Sequence, residues 1–352
     1  MTSPDRPGRA GLLDRLRTGP VVCAEGYLFE LERRGYVQAG PFVPEVVLDH
    51  PEEVSALHRQ FLHAGSDVVE AFTYYGHRDK LRVIGKDHLL EPLNRQALSL
   101  AREVAVESGA LLAGNVCNTN VYDPADPATQ TAVRAMFAEQ VGWAAEAGVD
   151  FVIGETFWYA AEALLALEVI REAGLSAVIT LAPHRDPVTR EGWSFADACR
   201  RLADAGADVV GLNCGRGPAT MLPLVPDVVA AVDVPVAVLP VPYRTRPDQP
   251  TFQSLRDPEY DRQTSGMPFP TALDPFTCNR FEIADFTREV RALGAQYVGL
   301  CCGGAPHHIR SMAESLGQIP PASRYSEDMS KHAFLGSDDV RSDHNRDLSG
   351  ML

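Results

Sequence analysis

From residue 20 onward the chain alternates short apolar runs with longer amphipathic stretches, and it does so eight times. No other feature restricts the fold as strongly. Short apolar runs read as buried strands, and a long amphipathic stretch between two of them is the length of connection that parallel strands need. The runs are Pro20 to Ala24, Asp67 to Ala71, Leu111 to Asn115, Phe151 to Gly154, Ala177 to Leu181, Val209 to Leu212, Val234 to Leu239 and Tyr297 to Leu300. Four of them follow a helix-ending glycine signal, at His63-Ala64-Gly65, Ala147-Gly148, Ala205-Gly206 and Leu293-Gly294, so the local order is helix, cap, strand. The count of eight, with no glycine-rich nucleotide fingerprint after the first strand, predicts a (β/α)8 barrel rather than a doubly wound sheet. Residues 1–19 are expected to form an N-terminal helix or extension, 20–320 the barrel, and 321–352 a polar tail.

One barrel accounts for a chain of 352 residues, because α/β barrels reach this length around a single core. A formal net charge of -15 argues against a phosphate-binding surface, so nucleic acid is not an expected partner. No apolar run is long enough to span a membrane. The N-terminal stretch is arginine-rich but carries Asp5 and Asp14, and Leu12, Leu13 and Leu16 fit a short amphipathic helix rather than a targeting peptide. A cytoplasmic location is expected. Seven cysteines, an odd number at scattered spacings in a long chain, do not suggest a disulfide framework. The Pro- and Arg-rich segment from Val241 to Pro275 follows the seventh strand without helical periodicity, as an active-site loop of a barrel would. The Ser- and Asp-rich tail is expected to be a mobile or partner-bound extension.

Chemistry enters at the cysteines. Cys214 stands just past the sixth strand in Gly211-Leu212-Asn213-Cys214-Gly215, and Cys301 and Cys302 stand just past the eighth in Gly299-Leu300-Cys301-Cys302-Gly303-Gly304. Both motifs fall at the C-terminal mouth of a barrel, where three thiolates can converge on one ion. A zinc ion with three protein ligands keeps an open fourth position, and three thiolates make it electron-rich, suited to an alkyl-accepting thiolate more than to hydrolysis. Free cysteine is also among the most buried residue types. From spacing alone, zinc ligation and small buried hydrophobes both remain open, and Cys23, Cys117, Cys199 and Cys278 read better as core or loop thiols.

These motifs resemble the zinc-dependent homocysteine S-methyltransferase family, whose signature is a Gly-x-Asn-Cys strand end followed much later by Gly-x-Cys-Cys-Gly. Further matches are the stretch from Glu32 to Glu45, His50-Pro51-Glu52, Phe72-Thr73-Tyr74-Tyr75, and Pro306, His308, Ile309 and Arg310 after the cysteine pair. The resemblance runs over roughly residues 10 to 325. It implies a barrel, a catalytic Zn2+ on Cys214, Cys301 and Cys302, and methyl transfer from betaine or a related onium donor to the zinc-bound thiolate of homocysteine, giving methionine. It also implies that Glu155 holds the homocysteine ammonium, that Tyr75 faces the donor, and that the protein is a homo-oligomer. Glu25, Gly26, Phe42, Phe72, Thr156 and Asn213 complete the expected substrate-binding set.

The chain departs from the family pattern at three places. The first strand ends Ala24-Glu25-Gly26 where the family has Asp-Gly-Gly; a carboxylate is kept but moved by one residue, which on a strand reverses its direction. An early-loop tryptophan is Phe42, and the tyrosine after the strand-four glutamate is Thr156. Phe42 can still serve a cation–π contact and Thr156 cannot; Phe72, Tyr74, Phe157, Trp158 and Tyr159 are the candidates to compensate. Alternatives are the same chemistry with S-methylmethionine or another N-methylated donor, a different thiol acceptor, or a non-catalytic zinc- and onium-binding barrel. A Schiff-base aldolase is disfavoured, since Lys80, Lys86 and Lys331 are the only lysines and none ends a strand.

Overall fold

A computed structural model of the chain describes residues 10–257 and 267–351. It contains eight parallel strands: β1 (Val21–Ala24), β2 (Val68–Glu70), β3 (Leu111–Cys117), β4 (Phe151–Phe157), β5 (Ser176–Leu181), β6 (Val209–Asn213), β7 (Val236–Leu239) and β8 (Tyr297–Leu300). They are ordered β1-β8-β7-β6-β5-β4-β3-β2. The remaining seam, between β1 and β2, is closed by single bonds: Asp67 donates its N–H to the Val22 carbonyl at 2.7 Å, and its Oδ2 accepts from the Val22 N–H at 2.9 Å. The fold is therefore the expected (β/α)8 barrel.

The aspartate at that seam recurs. Asp150 and Asp208 stand just before β4 and β6, and their carboxylates accept from the N–H groups of Leu112 and Ala177 at 2.7 and 2.8 Å. Each closes a Gly-x-Asp triplet in sequence (Gly65, Gly148 and Gly206 lead them), so the glycine signals mark a repeat of two strands. Gly65 shows why the residue is glycine: it ends the helix Pro51–Ala64 at φ 113°, and a Cβ there would lie 2.5 Å from that of Ala313.

Strand side chains alternate between two apolar compartments. Val21, Cys23, Leu111, Ala113, Phe151, Ile153 and Tyr297 fill the barrel interior together with Leu12 and Leu16 of the helix Leu12–Thr18, which plugs the N-terminal end. Val22, Val69, Leu112, Val152, Ile179 and Val210 pack outward against the surrounding helices. With the bottom closed and all strands parallel, polar side chains can gather only at the C-terminal mouth. β3 and β4 run two and three residues beyond the boundaries expected from sequence, carrying Cys117 and Glu155 to Phe157 into that mouth.

In the Val241–Pro275 segment the described residues hold only the short turns Phe252–Ser254 and Asp274–Phe276; its residues 258–266, like residues 1–9 of the N-terminal stretch, lie outside the described residues. The tail is largely exposed yet forms short helical pieces at Pro321–Tyr325, Met329–Lys331 and Asp343–Ser349. Among the described residues no helix is long and apolar enough to cross a membrane.

Candidate active site

The three predicted cysteines meet. Their sulfurs all lie within 4.8 Å of one another, and Cys301 Sγ is 3.8 Å from Cys302 Sγ. Tetrahedral coordination with metal–sulfur bonds of about 2.3 Å requires sulfur–sulfur edges of about 3.8 Å, so the donor set fits a thiolate-preferring ion. All three are buried. Cys214 reaches the site from a left-handed backbone, φ 57°, held where its N–H donates to the Leu239 carbonyl at 2.9 Å. The Cys301 N–H donates to the Pro240 carbonyl at 3.0 Å. Hydrogen bonds from the Cys301 and Cys302 thiols hold Cys214 well below the usual thiol range, while burial pushes Cys301 up.

Beside the sulfurs lies a narrow inner cavity walled by carboxylates. Glu70 ends β2, Glu155 lies within β4, and Glu25 follows β1; all three are buried. Two carboxamides tie them together. Asn115 Nδ2 donates to Glu70 at 2.5 Å and to Glu155 at 2.7 Å, and Asn213 Nδ2 donates to Glu155 at 2.8 Å and to Glu25 at 3.3 Å. The Asn213 Oδ1 accepts from the Thr156 N–H at 2.9 Å, and Thr156 Oγ1 lies 3.0 Å from Asn213 Nδ2. Burial raises the Glu155 carboxyl to about 7. Burial, with the charge of Glu155, pushes Glu25 and Glu70 well above the usual carboxylate range. Such a wall calls for a cation.

On the other side of the sulfurs an outer chamber of about 90 Å³ opens among aromatic rings, including Phe29, Phe42, Tyr75, Trp158, Phe252 and Phe269. Phe29 makes edge contacts with Phe42 at 5.6 Å and Phe252 at 6.0 Å, and Phe252 meets Phe269 at 5.0 Å. Four residues of this chamber, Phe42, Tyr75, Thr156 and Cys214, are left-handed at φ 54–60° without being glycine. Conformations of this kind cost of order 1–3 kcal/mol each and gather where function demands them. Cys302, Leu28 and Tyr74 line both spaces, so the sulfur cluster sits on the partition between them.

Of the residues singled out from sequence, Cys214, Cys301, Cys302, Glu25, Glu155, Thr156 and Asn213 form one contiguous cluster, Phe72 lines the inner cavity, and Phe42 and Tyr75 line the chamber. Tyr75 also carries the Lys80 ammonium over its ring at 4.0 Å. Gly26 lines neither space: a Cβ there would lie 2.0 Å from the Gly304 carbonyl, so it packs the start of one mouth loop on the cysteine loop. Glu25 faces inward because it continues the alternation of Val21 and Cys23, its N–H still donating to the Leu300 carbonyl of β8 at 3.0 Å; the outward position is that of Ala24. Of the compensating aromatics, Tyr74 and Trp158 reach the chamber; Phe157 packs in the core on Phe137 at 5.9 Å and Tyr159 pairs with Tyr122 at 5.2 Å. Sequence reasoning missed Glu70 and Asn115. Their signal was present, a single polar residue inside an otherwise apolar strand. It also missed Phe29, Phe252 and Phe269, which only the folded loops bring together.

Parallel strands, a closed N-terminal end and a three-thiolate centre between a carboxylate cavity and an aromatic chamber define a barrel enzyme of the thiol-alkylating class. The chain belongs to the homocysteine S-methyltransferase family, whose model matches residues 24–316. It is 37% identical over 345 residues to betaine–homocysteine S-methyltransferase 1 of Xenopus tropicalis, covering 94% of this chain and 80% of that protein. It is 36% identical over 341 residues to the S-methylmethionine–homocysteine S-methyltransferase of Mus musculus, covering 94% and 87%. Among solved structures it resembles the metallated form of the homocysteine methyltransferase MmuM from Escherichia coli, with TM-score 0.66 at 19% identity over 85% of this chain and 98% of that one.

Proposed function

We propose that this protein transfers a methyl group from betaine or a related onium donor to the thiol of homocysteine, giving methionine. One observation carries the reading: the Cys214, Cys301 and Cys302 cluster lies between a space suited to an ammonium and a space suited to a quaternary or sulfonium cation. Zinc held by those three residues would keep the acceptor sulfur ionised at neutral pH.

The remaining work falls to the protein's own groups. Glu155 takes the acceptor's ammonium, and Asn213 and Thr156 hold that carboxylate in place. Phe42, Tyr74, Tyr75 and Trp158 offer ring faces to the donor cation and exclude water from it. The methyl carbon is then attacked in line, the new S–CH3 bond forming as the donor's N–CH3 or S–CH3 bond breaks, with its electron pair returning to nitrogen or sulfur. A cytoplasmic setting, read from the sequence, and a homo-oligomer, suggested by the family resemblance, complete the reading.

The test is a panel of methyl-labelled onium donors, betaine and S-methylmethionine first, with homocysteine as acceptor in metal-loaded protein. Label in methionine supports the proposal and names the donor; a protein that binds zinc and donors but labels no thiol is a binding barrel instead. Glu155→Ala should raise the KM for homocysteine at least tenfold with metal content unchanged, and unaltered kinetics would remove that residue from the acceptor site.

A further inference from the structure

We infer that the inner cavity recognises its acceptor by the ammonium alone, so that thiols bearing an amine but no carboxylate, such as 3-aminopropanethiol, are also methylated. Glu25 and Glu70 are the residues that set this preference. The inference rests on the thiol-methylation reading of the site and narrows the acceptor class within it.

The first observation is charge. Glu25, Glu70 and Glu155 face one cavity, and among the described residues no lysine, arginine or histidine lines it. Both carboxamide Nδ2 groups already serve the three carboxylates, and the Tyr27 hydroxyl is paired with His58 Nδ1 at 3.1 Å. Among the described residues no side chain there offers a positive charge to a bound carboxylate, whereas an ammonium entering the cavity favours the ionised form of the acids beside it.

The second observation is independent of the count of acids. Glu25 Oε1 and Asn115 Oδ1 are buried without any hydrogen-bond partner, and both residues line this cavity. Buried acceptors of this kind call for a donor. An ammonium has three N–H donors and no acceptor, which matches the two orphaned oxygens and the carboxylate of Glu155. The third observation is size. The cavity offers about 10 Å³, the room that one water-sized group needs; an ammonium fits and a carboxylate beside it does not. A homocysteine bound with its ammonium inside must therefore direct its carboxylate outward, where removing it leaves the recognition intact.

Three thiols of matched chain separate the terms: homocysteine, 3-aminopropanethiol (carboxylate removed) and 4-mercaptobutanoate (amine removed). Each is offered to the metal-loaded protein with the onium donor that best supports homocysteine turnover. In every case the sulfur bonds to the donor's methyl carbon, the thiol proton passes to solvent, and the demethylated donor leaves with the electron pair. The expected kcat/KM for 3-aminopropanethiol is within threefold of that for homocysteine or above it, and that for 4-mercaptobutanoate is at least 100-fold lower. Glu25→Gln and Glu70→Gln, which keep shape and remove a charge, should each raise the KM for 3-aminopropanethiol at least tenfold with metal content unchanged.

Calorimetric titration of the same thiols reads the preference without turnover. Tighter binding of 3-aminopropanethiol than of 4-mercaptobutanoate supports the inference even if either variant folds poorly. Efficient methylation of homocysteine with 3-aminopropanethiol more than 100-fold slower overturns the inference and leaves the methyltransferase reading standing. Failure of every thiol to accept a methyl group while the calorimetric preference persists overturns that reading and leaves the ammonium site.

Discussion

Asn213→Asp exchanges one carboxamide for a carboxylate at nearly constant volume, in a position where the structure permits a bounded estimate. Asn213 is fully buried and its Nδ2 donates to Glu155 at 2.8 Å and to Glu25 at 3.3 Å. The variant loses both donors to charged partners, worth about 1.5–3 kcal/mol each, for a loss of at least ~3 kcal/mol. The loss also has a ceiling. The introduced carboxyl can retain a proton and donate it to Glu155, and holding that proton at pH 8 against an ordinary carboxyl value of about 3.9 costs ~1.4 kcal/mol per unit, or ~6 kcal/mol. The expected destabilisation is therefore about 3–6 kcal/mol at pH 8. At pH 5 the same ceiling falls to ~1.5 kcal/mol, so most of the loss should be recovered. Urea unfolding of both proteins, prepared with identical metal content, at the two pH values reads the difference from midpoint and slope. A variant as stable as the parent at pH 8, or one whose loss is as large at pH 5, would refute the bridging role assigned to this side chain.

Zinc should be present at about one ion per chain and fall to near none in the Cys301→Ser, Cys302→Ser double variant, because a neutral hydroxyl is a far weaker ligand than a thiolate; metal analysis decides, and retained stoichiometric zinc would sink the site. Phe42→Ala should raise the KM for the onium donor about tenfold while the homocysteine KM holds, from the loss of one desolvated cation–π contact of ~1–2 kcal/mol; equal effects on both substrates would point to a collapsed chamber. Burial raises Glu162 to about 7, although it accepts from the Thr119 N–H at 2.8 Å and from Thr119 Oγ1 at 2.6 Å. Its folded value lies above the ordinary 4.5, so this group contributes stability that is fully present below pH 4.5 and lost as pH rises to 7, by about 3 kcal/mol. Glu162→Gln should flatten that part of the stability profile between pH 4.5 and 8, and a profile parallel to that of the parent would show that the carboxyl titrates normally.

What the sequence determined by itself is what local spacing can encode. Eight apolar runs at crossover spacing specify the strands, Gly-x-Asp triplets stand directly before three of them, and Asn213-Cys214 and Cys301-Cys302 mark the mouth because residues just past parallel strands have nowhere else to go. Tertiary structure alone decided which isolated polar residues share a cavity. Glu25, Glu70 and Glu155 are separated by 45 and 85 positions in the chain; each follows an inward-facing residue of its strand by two positions, but only the closed ring of parallel strands brings them to one cavity. Glu25 shows the limit most sharply. Alternation from Val21 and Cys23 turns Glu25 inward, but only the assembled barrel decides that it meets Asn213 there. Phe252 and Phe269 reach the chamber on a loop with no repeating pattern, and their positions depend on packing against Phe29, a contact across more than 200 residues that only the folded chain makes.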